Sequence, residues 1–164
     1  MAHILVVDDN AVQRHLLRLL CSNAGYRVTQ AVHGADALAA ARRERPDLMV
    51  TDVLMPVMDG FTLCRRWMED PSLRHIPVII YTATYTDPGD ALLAQTLGAA
   101  HYLSKPVDAE RLLTVIGEEL AARTPLASSP VFSPVSKPRT ATHATAEPTQ
   151  ATRLEKMTMA DALV

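Results

Sequence analysis

Four short stretches place reactive side chains directly after apolar runs. Asp8-Asp9 follows Ile4–Val7, Asp52 follows Leu48–Val50 by one residue, Thr82 follows Val78–Tyr81, and Lys105-Pro106 comes just after His101–Leu103. Taken singly, each has an ordinary role. Asp8 and Asp9 suit the positive end of a following helix, Asp52 suits a turn, Thr82 is a good strand residue and Lys105 a surface charge. Gathered in one place they would do more. Three carboxylates in a small volume raise one another's pKa and destabilise the fold unless a cation sits among them. Oxygen ligands with no thiolate and no imidazole pair favour a hard cation, Mg²⁺ above others. Mg²⁺ and the Lys105 ammonium would balance three carboxylates and leave a site prepared for an anion.

Missing residues narrow the anion's chemistry. Val7-Asp8-Asp9-Asn10-Ala11 contains no glycine, so neither a dinucleotide fingerprint nor a P-loop is present. There is no Gly-x-Ser-x-Gly elbow. The six histidines (His3, His15, His33, His75, His101, His143) lack zinc-ligand spacing. A carboxylate can itself accept a phosphoryl group when a metal and a cation neutralise the transferring oxygens. Thr82 and Lys105 have the donor types to hold those oxygens.

The elements that must position these residues follow from periodicity. Apolar runs at Ile4–Val7, Arg27–Gln30 (the weakest), Leu48–Val50, Val78–Tyr81 and His101–Leu103 predict five strands. Helical patterns lie between and after them. Val12, Leu16, Leu19 and Leu20 have the spacing of a buried face, with Asn10 as cap and Gly25 past the end. Ala35–Arg45 stops at Pro46. Phe61, Cys64, Trp67 and Met68 give a third face, Asp87-Pro88 opens a fourth helix that Gly98 ends, and Val107 and Leu112 bracket Asp108 at the start of a fifth. Strict alternation of strand and helix predicts an α/β, doubly wound, five-stranded parallel sheet of flavodoxin-like order 2-1-3-4-5 with five helices. In such sheets ligands bind outside the carboxyl ends of the strands. The reactive residues fall there.

Composition bounds the rest. The chain has 164 residues, 48% hydrophobic, with 18 acidic against 16 basic side chains, so direct nucleic-acid binding, which needs a basic surplus, is not expected. Cys21 and Cys64 are too few for a disulfide framework. No apolar run nears the ~18 residues of a membrane span, and the N-terminus has no signal-peptide pattern; a cytoplasmic protein without a membrane association is expected. Residues 1–121 form the predicted domain. From 122 to 152, 21 of 31 residues are Ala, Ser, Thr or Pro, which predicts a disordered linker and hence a flexible C-terminal tail. Residues 153–164 regain helix formers, with Leu154, Met157 and Val164 on one face; they predict a short helix or the start of a connector or output region.

The chain resembles the receiver domain of bacterial two-component response regulators. The matching stretches are 4–10 (ILVVDDN), 46–60 (PDLMVTDVLMPVMDG), 77–83 (PVIIYTA) and 97–106 (LGAAHYLSKP). The resemblance implies Asp52 as phosphoacceptor and Asp8, Asp9, Asp52 and the backbone carbonyl of Leu54 as Mg²⁺ ligands, Asp8 directly or through water. It implies Thr82 and Lys105 as phosphoryl-holding residues, a cis Lys105–Pro106 bond, and a switch in which Thr82 and Tyr102 alter the face of the fourth helix, fifth strand and fifth helix. It further implies a phosphohistidine on a histidine kinase or histidine phosphotransfer protein as donor, a downstream output domain or protein, and a possible homodimer. Leu54 and Thr84 would overhang the phosphoryl group and could slow or speed its hydrolysis.

Other readings stay open at this stage. The same fold could serve as a phosphorylation-independent interaction module, or as the N-terminal receiver of a larger hybrid kinase or cyclic-nucleotide-signalling protein. A phosphatase using Asp52 would need a second acid and an enclosing cap, for which the chain offers no insertion; no separate enzymatic domain is expected.

Overall fold

The computed structural model describes residues 1–123. Its strands are β1 (His3–Val7), β2 (Arg27–Ala31), β3 (Leu48–Thr51), β4 (Val78–Thr82) and β5 (His101–Ser104). Its helices are α1 (Ala11–Asn23), α2 (Gly34–Arg43), α3 (Gly60–Glu69), α4 (Pro88–Thr96) and α5 (Ala109–Arg123). The strands form one parallel sheet in the order β2-β1-β3-β4-β5, the order expected from the alternation of elements. Helix α5 continues through Arg123; the remainder of the expected linker, and segment 153–164, lie outside the described residues. No helix among the described residues is long and apolar enough to cross a membrane.

Strand alternation divides the core in two. Leu5, Val7, Met49 and Ile80 point to the layer of α2, α3 and α4, where Leu38, Leu63, Trp67 and Ala94 meet them. Ile4, Val6, Leu48, Val50 and Ile79 point to the layer of α1 and α5, against Leu17, Cys21, Leu112 and Ile116. Covering both faces is what makes β1 and β3 continuous apolar runs. Trp67 is fully buried, and its indole N–H donates to the Ile76 carbonyl at 3.1 Å.

The helix ends follow capping chemistry. Asn10 accepts from the Val12 and Gln13 N–H groups, and Gly25, at φ +91°, leads the chain out of α1. Asp87 and Asp90 form a reciprocal capping box with Pro88 in the first turn of α4. His33, not singled out from sequence, caps α2 through Nδ1, which accepts from the Asp36 N–H at 3.1 Å.

One expected face is corrected. Of the stripe Val12, Leu16, Leu19, Leu20 only Leu20 packs against the core: Val12 is 67%, Leu16 54% and Leu19 37% exposed, and Leu17 and Cys21 are the buried residues of α1. The adjacent leucines at 16, 17, 19 and 20 permit two overlapping helical stripes about one residue apart, some 100° around the axis. Cys21, which packs as a small hydrophobe, extends the Leu17 stripe by one turn and completes the buried one.

Candidate functional site

Sheet register brings the acidic residues together. Val7 of β1 pairs with Thr51 of β3, so the next residues, Asp8 and Asp52, leave the sheet side by side. The Asp52 N–H donates to the Val7 carbonyl at 2.9 Å. At the other edge Thr82 pairs with Ser104, which puts Lys105 just past the end of β5, and its N–H donates to the Thr82 carbonyl at 2.7 Å. The Lys105–Pro106 peptide bond is cis.

The Lys105 Nζ donates to Asp8 Oδ2 at 2.9 Å and to Asp52 Oδ2 at 3.2 Å, and lies 5.1 Å from the centre of the Tyr81 ring. The remaining oxygens of both acids also have donors: the Asn10 N–H reaches Asp8 Oδ1 at 2.9 Å, and the Val53 N–H reaches Asp52 Oδ1 at 2.6 Å. Asp8 is 1% exposed while Asp9 is open to solvent. Burial pulls the Lys105 pKa down, but the hydrogen bond and charge of Asp8, then the charge of Asp52, outweigh it and hold the ammonium above its ordinary value.

Asp8, Asp9 and Asp52 each offer a carboxylate oxygen within 4.8 Å of the other two. Three negative charges face one lysine, an excess of two that a divalent cation would cancel. Oxygens about 2.1 Å from one ion stand ~3.0–4.2 Å apart, so modest side-chain turns would close the cluster on Mg²⁺. The donor set, all hard oxygen, fits that ion.

The cleft, about 310 Å³, is lined by Asp8, Asp9, Asn10, Gln13, Asp52, Leu54, Ala83, Thr84 and Lys105. Thr82 is fully buried behind it. Its hydroxyl lies 3.2 Å from the Thr84 hydroxyl and accepts from the Thr84 N–H at 3.3 Å. Tyr102 does not line the cleft, and its hydroxyl donates to the Tyr85 carbonyl. The Tyr85 ring meets Phe61 edge-on, with centroids 5.6 Å apart. Burial, then the carboxylates of Asp90 and Asp52, keep the Tyr102 phenol above its usual range. Sequence patterning passes over Gln13 and Arg14, although both follow the acid pair within one turn of a helix opening at the carboxyl edge.

The model of the response regulator receiver domain matches residues 4–117. The chain belongs to this family. The receiver resembles "Protein PilH" of Pseudomonas aeruginosa, 40% identical over 121 residues that are 74% of this chain and 99% of PilH. It resembles "Response regulator PleD" of Caulobacter vibrioides at 45% over 107 residues, which are 65% of this chain but only 23% of PleD; the chain thus spans about a quarter of that relative. Among solved structures, the receiver domain of a sensor histidine kinase from P. aeruginosa has a TM-score of 0.67 and 30% identity, covering 73% of this chain and 98% of that one. That domain is described with a magnesium ion coordinated in its active site cleft. Receivers of this family work in two-component phosphorelay signalling with histidine kinases or phosphotransfer proteins, and some relatives carry output domains.

Proposed function

We propose that this receiver takes a phosphoryl group from a partner's phosphohistidine onto Asp52, with Mg²⁺ bound by Asp8, Asp9, Asp52 and the Leu54 backbone carbonyl. The observation that carries this reading is the Lys105 ammonium within hydrogen-bond reach of both Asp8 and Asp52 beside the third carboxylate of the cluster. The ion, when bound, supplies charge neutralisation for the attacking carboxylate and the transferring oxygens.

The chain's own residues supply position. The Val53 N–H on Oδ1 fixes the rotation of the Asp52 carboxylate, which is aimed before the donor arrives. An Asp52 oxygen attacks phosphorus in line, the P–N bond of the phosphohistidine breaks, and its electron pair returns to the partner's imidazole. Lys105 turns from the Asp52 carboxylate to a phosphoryl oxygen while keeping Asp8. Thr82 exchanges its hydrogen bond with Thr84 for one to the phosphoryl group, whose charge of about −1.5 to −2 at neutral pH draws it forward. The space so opened admits Tyr102, which leaves the Tyr85 carbonyl and alters the α4-β5-α5 face, a two-state element biased by local charge. We place the relay in the cytoplasm, with a histidine kinase or phosphotransfer protein upstream.

The test is intact-mass measurement after incubation with a small-molecule phosphoramidate. With MgCl2 the wild type gains roughly 80 Da, one phosphoryl; with EDTA, or as Asp52→Asn, it gains nothing. An equal gain in Asp52→Asn overturns the assignment.

A further inference from the structure

The guanidinium of Arg14, in the first turn of α1, reaches back to the loop that carries the acid pair. Its Nη1 donates to the Asp8 carbonyl at 2.7 Å and, at greater length, to the Asp9 carbonyl at 3.4 Å. The helix's own ladder begins just after these groups, where the Arg14 N–H donates to the Asn10 carbonyl at 2.9 Å. The carbonyls of Asp8 and Asp9 therefore precede the first helical bond, and the side chain of Arg14 supplies a donor to both. A carbonyl's direction fixes its peptide plane. These two planes flank the Asp9 Cα, and the plane before Asp8 is held by the Asp52 N–H on the Val7 carbonyl at 2.9 Å, so the direction in which each Cα–Cβ bond leaves the loop is set. Those bonds aim the Asp8 and Asp9 carboxylates, which converge on Asp52 within 4.8 Å.

We propose that Arg14 is a positioning residue for the divalent-cation site, holding the Asp8–Asp9–Asn10 backbone in the conformation that makes the two acids converge. The inference rests on the reading of that cluster given above. A purely electrostatic role for the same side chain predicts the opposite result. If Arg14 acted only through its positive charge it would repel an incoming cation, and removing it would tighten cation binding. As a positioning group it gathers the ligands, and removing it weakens binding. Lysine keeps the charge but has a compact ammonium in place of the planar fork, so Arg14→Lys isolates geometry from charge.

The experiment titrates the full chain with MgCl2 by calorimetry, for the wild type, Arg14→Ala, Arg14→Lys and Asp9→Asn. Phosphoryl uptake from a small-molecule phosphoramidate is then measured at saturating Mg²⁺. Groups that orient a metal's ligands cost about tenfold or more in affinity when removed. Arg14→Ala is expected to raise the Mg²⁺ Kd by about tenfold and Arg14→Lys by about threefold, the charge being kept and the fork lost. Uptake at saturating Mg²⁺ should stay within about twofold of wild type and the thermal midpoint within about 2 °C. Tighter binding in Arg14→Ala with Arg14→Lys unchanged would overturn the proposal in favour of a charge role. Weaker binding that tracks a fall in thermal midpoint, with uptake not restored by saturating Mg²⁺, would overturn it in favour of general stability. If the wild type binds Mg²⁺ no better than Asp9→Asn, the reading of the acid cluster fails first and this inference falls with it.

Discussion

Lys105 Nζ and Asp8 Oδ2 stand 2.9 Å apart and 97 residues apart in the chain, tying the last strand of the sheet to the first through a buried charge pair. The side chains are 10% and 1% exposed. Removing one partner of such a pair leaves an uncompensated buried charge, which costs on the order of 3 kcal/mol or more. Lys105→Ala should therefore lose about 3 kcal/mol of stability in EDTA. Because Asp52 and Asp9 lie in the same cluster, the loss should shrink as MgCl2 is added and the ion takes over the neutralisation. Urea unfolding with and without Mg²⁺ measures both values. An equal deficit in the two conditions would separate Lys105 from the cation site.

Gly60 sets the backbone on which Asp52 rides. A Cβ at this position would lie 2.1 Å from the Asp52 carbonyl oxygen and 2.9 Å from Val53 Cα, both backbone atoms. The Gly60 N–H donates to the Val53 carbonyl at 2.8 Å, so the close approach is held by a hydrogen bond. Gly60→Ala must push the two segments apart, at a cost of about 3 kcal/mol. It is also expected to slow phosphoryl uptake by displacing Asp52. Denaturant unfolding and the initial rate of mass gain report the two effects.

Alkali should weaken the fold through its thiols. Burial pushes Cys21 and Cys64 up to about 11 from an ordinary value near 9. A raised pKa in the folded state means that above pH ~9 the unfolded chain gives up protons the folded one keeps. The stabilisation is thus whole below the unfolded value and declines as pH rises toward 11, by about 2–3 kcal/mol for each thiol. Lys105, also raised, adds to the decline above ~10.4. The unfolding free energy should be level up to about pH 8.5 and fall beyond it, and the slope should diminish in Cys21→Ala/Cys64→Ala.

Neighbouring leucines of α1 should behave oppositely. Leu17 is 6% exposed and packs between α1 and the sheet, whereas Leu16 is 54% exposed. Leu17→Ala should cost about 2–4 kcal/mol and Leu16→Gln no more than ~0.5 kcal/mol, both read from chemical denaturation. A larger cost for Leu16→Gln than for Leu17→Ala would mean that the helix is turned the other way.

This pair also shows where sequence reading reaches and where it stops. A parallel strand covered on both faces is an apolar run, so the polar residue that ends it marks the carboxyl edge. That reasoning locates the strands and the positions of Asp8, Asp52 and Lys105, which the sheet gathers within hydrogen-bond reach; the strand order follows instead from the alternation of strand and helix. The face of α1 was less legible, because Leu16, Leu17, Leu19 and Leu20 satisfy two stripes and only packing against α5 and the sheet chooses between them. Thr82 and Thr84 share a residue type and lie two positions apart, and no spacing rule tells that one is fully buried while the other lines the cleft. The reach of Arg14 to two carbonyls depends on its rotamer, which periodicity does not encode.

Asp52, and neither Asp8 nor Asp9, is expected to carry the phosphoryl group. Borohydride reduces an acyl phosphate to an alcohol, so an aspartyl phosphate becomes homoserine and its position can be read by peptide mass mapping. After phosphoryl loading with Mg²⁺ and reduction, homoserine is predicted at position 52 alone. Homoserine at position 8 or 9, or an unreduced chain that nonetheless carried the added mass, would contradict it.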